Sequence, residues 1–261
     1  MGDLPGATRH AANVELLALA GLGEIEAGAD LAARLAELIR WAGVSLQAQD
    51  VLVVAQKVVS KAEYRQVDLG TITPSARARE LAVVTGKDPR LVEVILSESV
   101  EVLRAKPGVL VVRHRLGYVM AQAGVDRSNV PGEDRVLLLP AEPDESAARL
   151  RAGLARQLGV APGVIISDSF GRPWRLGTTN VALGAAGVPA LRDQRGEPDR
   201  HGRRLEATVV AWADAVAAAA GLVMGEALEG TPCVLVRGLR WDAPDAPASS
   251  LLRPIEEDLF R

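Results

Sequence analysis

The sequence predicts an α+β fold built on an irregular mixed sheet. Two observations carry this. The short, wholly apolar run Val51–Ala55 and the β-branched run Val164–Ser167 have the composition of buried strands. Amphipathic helical stretches fall among them without strict strand–helix alternation, which argues against a doubly wound sheet. Length agrees: 261 residues can bury a full core in one large or two smaller units.

The elements follow in order. Residues 1–12 read as an N-terminal arm, 13–240 as the folded domain and 241–261 as a Pro-rich tail. Val14 to Leu19 forms a strand, followed by the turn Gly21-Leu22-Gly23. Asp30 caps a helix whose Leu31, Leu35, Leu38 and Ile39 share one face, with Gly43 as its stop. The strand Val51–Ala55 runs straight into Gln56-Lys57-Val58-Val59-Ser60-Lys61. Ser75–Thr85 and Asp88–Val102 read as helices, the second with Pro89 in its first turn. Val109–Arg113 and Tyr118–Gln122 read as strands around Gly117, and His114 in that turn as a surface residue. Arg135–Pro140 is a short strand, and a subdomain boundary is placed near 140–146. Asp144 caps a helix running to Leu158 and closed by Gly159. Val164–Ser167 is a strand ending at Asp168, Leu205–Leu222 a helix and Pro232–Val236 a strand. Asp242–Pro254 is an extended segment.

Composition narrows the function. Net charge is -3 with signs interspersed, against a dedicated nucleic-acid binder. The single cysteine, Cys233, leaves no disulfide framework and no cysteine-built zinc site. His10, His114 and His201 form no pair at ligand spacing. No apolar run is long enough to span a bilayer and no targeting signal opens the chain, so a cytoplasmic protein is expected. Of the 30 basic residues 26 are arginine, which leaves Lys57, Lys61, Lys87 and Lys106 as the only lysines. Such skew follows genome composition, but a lysine retained against it marks a position where a compact ammonium is useful.

Common nucleotide motifs are missing. Gly86-Lys87 lacks the earlier glycine of a P-loop, and Gly21-Leu22-Gly23 lacks the third glycine of a dinucleotide fingerprint. Two segments do carry chemistry. Gly124-Val125-Asp126-Arg127-Ser128-Asn129 brings an acid, a hydroxyl and an amide out of an apolar strand. Ile165 to Arg175 repeats the pattern, with Asp168 flanked by Ser167 and Ser169. Strand-end aspartates serve equally as turn residues, but two of them converging at one sheet edge suit Mg²⁺ or Mn²⁺. Arg172 and Arg175 straddle Pro173-Trp174, and guanidinium forks match carboxylates and phosphates; solvated arginines remain the alternative. Lys57 and Lys61 share a face if their turn is helical, where an ammonium suits a nucleotide phosphate. The charged stretch Arg192 to Gly202 reads as an exposed loop, where substrate contacts often sit.

These segments resemble the coenzyme F420-0:L-glutamate ligase (F420:γ-glutamyl ligase) family. The resemblance rests on GLGEIEAGADL (Gly21–Leu31), VVAQKVVSKAE (Val53–Glu63), AGVDRSNV (Ala123–Val130), ISDSFGRPWRLGTTNVALG (Ile166–Gly184), LRDQRGEPDRHGRRL (Leu191–Leu205) and MGEALEG (Met224–Gly230). Tyr64 departs from it where a glycine is expected. The resemblance implies a two-subdomain α+β fold, a homodimer, and GTP-dependent joining of L-glutamate to the lactyl carboxylate of coenzyme F420-0. Further γ-linked glutamates belong to the same chemistry. It implies Mg²⁺ or Mn²⁺ in two positions and a monovalent cation such as K⁺. By motif, Asp126 and Asp168 would ligate metal, with Ser169 and Glu226 at a second position. Leu22, Gly23, Glu24, Ile25, Gln56, Lys57, Lys61 and Asn129 would line the GTP site. Arg172 and Arg175, with Arg195 a further candidate, would hold F420-0 or glutamate. The chain has no room for the C-terminal flavin-reductase-like domain that some members carry. Two other readings stay open: a phosphotransferase or nucleotide hydrolase on the same metal site, and a non-catalytic deazaflavin-binding protein.

Overall fold

The computed structural model describes residues 13–258; the predicted arm over 1–12 lies outside the described residues. Strand β1 (Glu15–Leu19) leads through a glycine-containing loop to helix α1 (Leu31–Trp41). Asp30 caps α1 by accepting a 3.0 Å hydrogen bond from the Ala33 N–H, as its position before an apolar-periodic run predicts. Strand β2 (Val51–Ala55) passes without a loop into helix α2 (Gln56–Ala62), so the lysine-bearing turn is helical. Then come β3 (Gln66–Asp68), α3 (Ala76–Thr85), α4 (Pro89–Ser97), β4 (Ser99–Lys106), β5 (Val109–His114), β6 (Val119–Ala121) and β7 (Arg135–Leu137). Helix α5 (Pro143–Leu158) and the long hairpin β8 (Gly163–Arg172) and β9 (Arg175–Ala186) follow. The chain closes with β10 (Leu191–Asp193), β11 (Val209–Ala211), α6 (Trp212–Met224) and β12 (Cys233–Arg237).

The main sheet has the order β1-β12-β2-β8-β9, in which β2 and β8 are parallel and the other pairs antiparallel. Its two faces follow from the side-chain alternation of extended backbone. Leu52, Val54, Val164, Ile166 and Leu235 face α1 and α5. Val51, Val53, Ile165, Val234 and Val236 face α6. Both faces are covered, which is why these strands read as continuous apolar runs. Each such side chain, fully buried, contributes about 1.5–3 kcal/mol. Close approach is built in at Gly184, where a Cβ would collide with the Pro143 carbonyl at the start of α5.

A second unit packs α3 and α4 on the antiparallel meander β4-β5-β6, with Val136 and Leu138 completing its core. The ribbon β3-β7 links it to α2. Tyr118, Met120, Leu139 and Leu183 join the two units. The mixture of helices with parallel and antiparallel strands is the α+β fold that the sequence predicts.

Several expected elements differ. The helix expected over Asp88–Val102 stops at Ser97, and Ser99–Lys106 is a strand. Pairing with β5 captures this β-branched segment. The strand expected to end at Asp168 continues to Arg172 and turns back as β9, so the Asp168 motif is a hairpin. The helix expected from Leu205 begins at Trp212, because 209–211 pairs with β10. Asp144 does not cap α5. It lies inside the first turn, and its carboxylate accepts hydrogen bonds from the Ala185 N–H at 2.9 Å and the Ala248 N–H at 2.7 Å. The segment over 242–254, expected to be extended, folds into a 3₁₀ turn at Ala248–Leu251 with Ala248 buried.

Tyr64, the departure from the family pattern, has φ +58°, in the left-handed region where glycine is at ease. Its ring lies against Gly28, where a Cβ would meet it. That contact is absent from a chain with glycine at 64.

Candidate active site

A cleft of about 1220 Å³ opens where the main sheet meets the second unit. One wall is the N-terminal end of α2, delivered there by the loop-free join to β2. The carboxyl end of parallel β2 and its neighbour β8 thus open on the cleft, the usual ligand position in sheets with parallel strands. The opposite wall comes from the second unit: β6, the 3₁₀ turn Gln122–Gly124 and Asp126. The turn after α6 closes the cleft with Glu226 and Leu228.

Every site residue named from the sequence lines this cleft: Leu22, Gly23, Glu24, Ile25, Gln56, Lys57, Lys61, Asp126, Asn129, Asp168, Ser169, Arg172, Arg175 and Glu226. The one exception is the further candidate Arg195. It is exposed and bound two-pronged to its near neighbour Asp193, with Nη2 2.6 Å and Nε 2.9 Å from the carboxylate oxygens.

The aspartates do not meet at one sheet edge as the sequence suggests. Asp168 lies within β8 of the main sheet, and Asp126 bridges to Leu137 in the second unit. They converge across the cleft because the two units pack together. Lys57 Nζ stands 2.6 Å from Asp126 Oδ2 and donates to the Ser128 hydroxyl as well. Ser128 in turn donates its N–H to Asp126 Oδ1 at 2.7 Å and its hydroxyl to Oδ2 at 2.8 Å. Burial would raise the Asp126 carboxyl, but Lys57 and Ser128 outweigh it and hold it below the usual range.

Asp168 behaves in the opposite way. Burial, with the carboxylates of Asp126 and Glu226 adding to it, pushes it up to about 7 against the Ser169 N–H and Lys57. Lys61 Nζ is 2.9 Å from Glu24 Oε2, and the buried Gln56 accepts from the Ser60 hydroxyl at 2.8 Å. Arg172 Nη2 donates to the Leu176 carbonyl at 3.2 Å, while Arg175 is exposed on the rim.

Among the described residues no three His, Cys, Asp or Glu side chains form a ready cage for a metal. The donor set fits a hard divalent ion in another way. Such ions keep waters and substrate oxygens beside one or two carboxylates. Here Asp126, Asp168 and Glu226 line one cleft, and the repulsion of Asp126 and Glu226 on Asp168 favours added positive charge.

Sequence reading named Ser167 only as a flank of Asp168 and gave Asn180 no role. Both are buried and line the cleft, and the Ser167 hydroxyl has no hydrogen-bond partner. Their signal was their place inside the Asp168 motif.

A cleft between two α+β units, with acids from both facing lysines and arginines, has the charges of a site for anionic ligands. The F420-0:Gamma-glutamyl ligase family model matches residues 21–238, and the chain belongs to that family. It is 46% identical over 243 residues to the coenzyme F420:L-glutamate ligase of Methanopyrus kandleri, covering 91% of this chain and 94% of that protein. The enzyme of the same name from Methanothermobacter thermautotrophicus is 43% identical over 250 residues, covering 95% and 99%. That of Natronomonas pharaonis is 47% identical over 251 residues, covering 94% and 93%. No helix among the described residues is long and apolar enough to cross a membrane.

Proposed function

We propose that this protein joins L-glutamate to the lactyl carboxylate of coenzyme F420-0 at the expense of GTP. The observation that carries the reading is the meeting of Asp126 and Asp168 from separate units in one cleft, with Lys57 2.6 Å from Asp126. A carboxylate and an amine do not condense in water without activation. A lactyl carboxylate oxygen attacks the GTP γ-phosphorus, forming an acyl phosphate and releasing GDP. The glutamate amine then attacks the acyl carbon, loses a proton and expels inorganic phosphate. The same sequence on a bound glutamate's γ-carboxylate would lengthen the tail.

The protein's part is positioning and electrostatics. Lys57 and Lys61 present ammonium groups to the nucleotide phosphates, and Leu22 to Ile25 with Gln56 and Asn129 border the nucleotide. Arg172 and Arg175 offer forks for the carboxylates and phosphodiester of the other substrates. Asp126 and Asp168 would hold one Mg²⁺ or Mn²⁺, and Ser169 with Glu226 a second; a bound K⁺ would add to the same charge balance. Such ions supply charge neutralisation on the transferred phosphoryl group. Lys57 and Asp126 neutralise each other, and nucleotide and metal would each take one partner. A homodimer belongs to the reading, and the almost fully exposed Leu176 and Leu228 on the cleft rim support it.

Incubation with F420-0, GTP, L-glutamate and either metal, followed by mass spectrometry, tests the proposal. The expected product is heavier by one or more glutamyl residues, with GDP formed only when acceptor and glutamate are both present. GDP formation without them would point to a nucleotide hydrolase instead.

A further inference from the structure

A second, smaller cavity of about 360 Å³ lies at the end of β5, away from the residues assigned above. Its polar lining is Arg113, His114, Arg115 and Arg253, and no carboxylate of the described residues lines it. In an arginine-rich chain the ordinary explanation is solvated side chains. That explanation fails for two of the four. Arg113 is 8% exposed and His114 is 0% exposed.

Arg113 Nε is buried without a hydrogen bond among the described residues, and His114 Nε2 has only Glu98 Oε2, at 3.4 Å, before it. The carboxylates nearest Arg113 are Glu101 at 3.7 Å and Asp258 at 3.8 Å, close enough to balance charge but beyond hydrogen-bond reach. His114 Nδ1 accepts the Leu116 N–H at 2.9 Å, so a neutral ring carries its proton on Nε2. Glu98 Oε2, 3.4 Å away, is engaged by Arg65 at 2.8 Å and Arg115 at 3.1 Å. Buried donors of this kind are satisfied in native proteins by a partner, water or a ligand.

The cavity's outer wall is Leu252 to Ile255, and exposed Arg253 stands on it. Gly117 makes room for Leu252, since a Cβ there would press on that side chain. Arg113 also pairs in register with Val119, which lines the main cleft, so the two cavities adjoin on one sheet.

We infer that this pocket is a second binding site, taking one small oxyanion, a phosphate or a carboxylate, between Arg113 and Arg253. Guanidinium forks match both groups. The volume is at the lower limit for organic ligands and suits a small anion with its waters. The bound anion draws the segment over 252–255 onto the end of β5.

The test is calorimetric and thermal-shift titration of the full chain with inorganic phosphate and, separately, with L-glutamate. Wild type, Arg253→Gln, Arg113→Gln and Lys57→Met are compared. The expected result is a saturable event with at least one of the two anions, accompanied by a rise in Tm. Arg253→Gln and Arg113→Gln weaken it about tenfold or more, and Lys57→Met leaves it unchanged. Whichever anion produces it identifies the source. Arg253 is exposed, so its variant keeps the test decisive if Arg113→Gln misfolds. No saturable event below about 10 mM in wild type, a weak-site limit, overturns the inference. So does an event that Lys57→Met removes and Arg253→Gln keeps, because it then belongs to the main cleft.

Discussion

Strand β2 has an ion pair at each end, and the two pairs have opposite design. At its start, Asp50 is 1% exposed and takes a two-pronged bond from Arg237, with Nε at 2.9 Å and Nη2 at 2.6 Å. Arg237 also donates to the Ser45 carbonyl at 2.8 Å, and Asp50 accepts the Gln47 N–H at 2.8 Å. Both carboxylate oxygens and the Nε and Nη2 of Arg237 have fixed partners, so the pair ties β12 to the entry of β2. At the other end Lys57 meets Asp126 through a single 2.6 Å contact, with the two side chains 25% and 36% exposed. A point charge on a flexible stem can change partners, whereas a planar fork held at three points cannot. The difference separates a scaffold charge pair from one suited to function, though both contacts are equally short.

The largest expected effect falls on the exchangeable end. Asp126→Asn or Asp168→Asn should slow ligation about 100- to 1000-fold, the scale of losing one preorganised electrostatic contact. Initial rates by mass spectrometry check it, and full activity in both variants would remove the metal assignment. Next comes the fixed end. Asp50→Asn should cost about 2 kcal/mol, because Arg237 loses its charged partner. Tm should fall by roughly 4–8 °C while the KM for GTP stays unchanged.

Lys57→Met sharpens the comparison directly. With the surrogate cation gone, Mn²⁺ should bind about tenfold more tightly without nucleotide, or ~1.4 kcal/mol, while the KM for GTP rises. Manganese EPR titration reads the first effect; unchanged Mn²⁺ affinity would mean the pair is not exchangeable.

Glu98 gives a pH-dependent contrast. Burial alone would raise its carboxyl, but His114, Arg65 and Arg115 prevail and bring it down to about 2 from an ordinary 4.5. A depressed acid stabilises the fold fully above its unfolded value and loses that stabilisation as pH falls from 4.5 toward 2. Urea unfolding across that window should show a loss on the order of 1 kcal/mol after solvent screening, and Glu98→Gln should flatten it. The smallest effect is expected at Gly171 in the cleft-lining hairpin. A Cβ there meets nothing within 4 Å and its φ is not left-handed, so Gly171→Ala should leave stability within about 0.5 kcal/mol. Gly184→Ala, against the Pro143 carbonyl, should be far more harmful.

Much of the site was legible because its signals are local. Asp30 caps its helix where the next residues predict. The motif residues, spread along the chain from Leu22 to Glu226, all line one cleft. What escaped was set by partners remote in sequence. His114 sits beside a glycine turn and reads as exposed, yet it is fully buried against Glu98. Asp144 reads as a cap because an acid precedes a helical run, yet its hydrogen bonds go to backbone 41 and 104 residues away. Strand β4 reads as helix until β5 supplies its ladder. Arg195 has the composition of a substrate contact, but Asp193 holds it outside the cleft.

The sequence by itself therefore determined the α+β class, the Asp30 cap, the buried strands and the residues that line the cleft. Composition and short-range spacing encode these directly. Only the tertiary structure decided that Asp126 and Asp168 face each other from separate units, and that Lys57 rests on one of them. It also decided that Arg113 and His114 are buried beside a pocket whose lining, among the described residues, holds no acid. Those facts depend on which faces pack together, and burial then sets the strength of every charge involved.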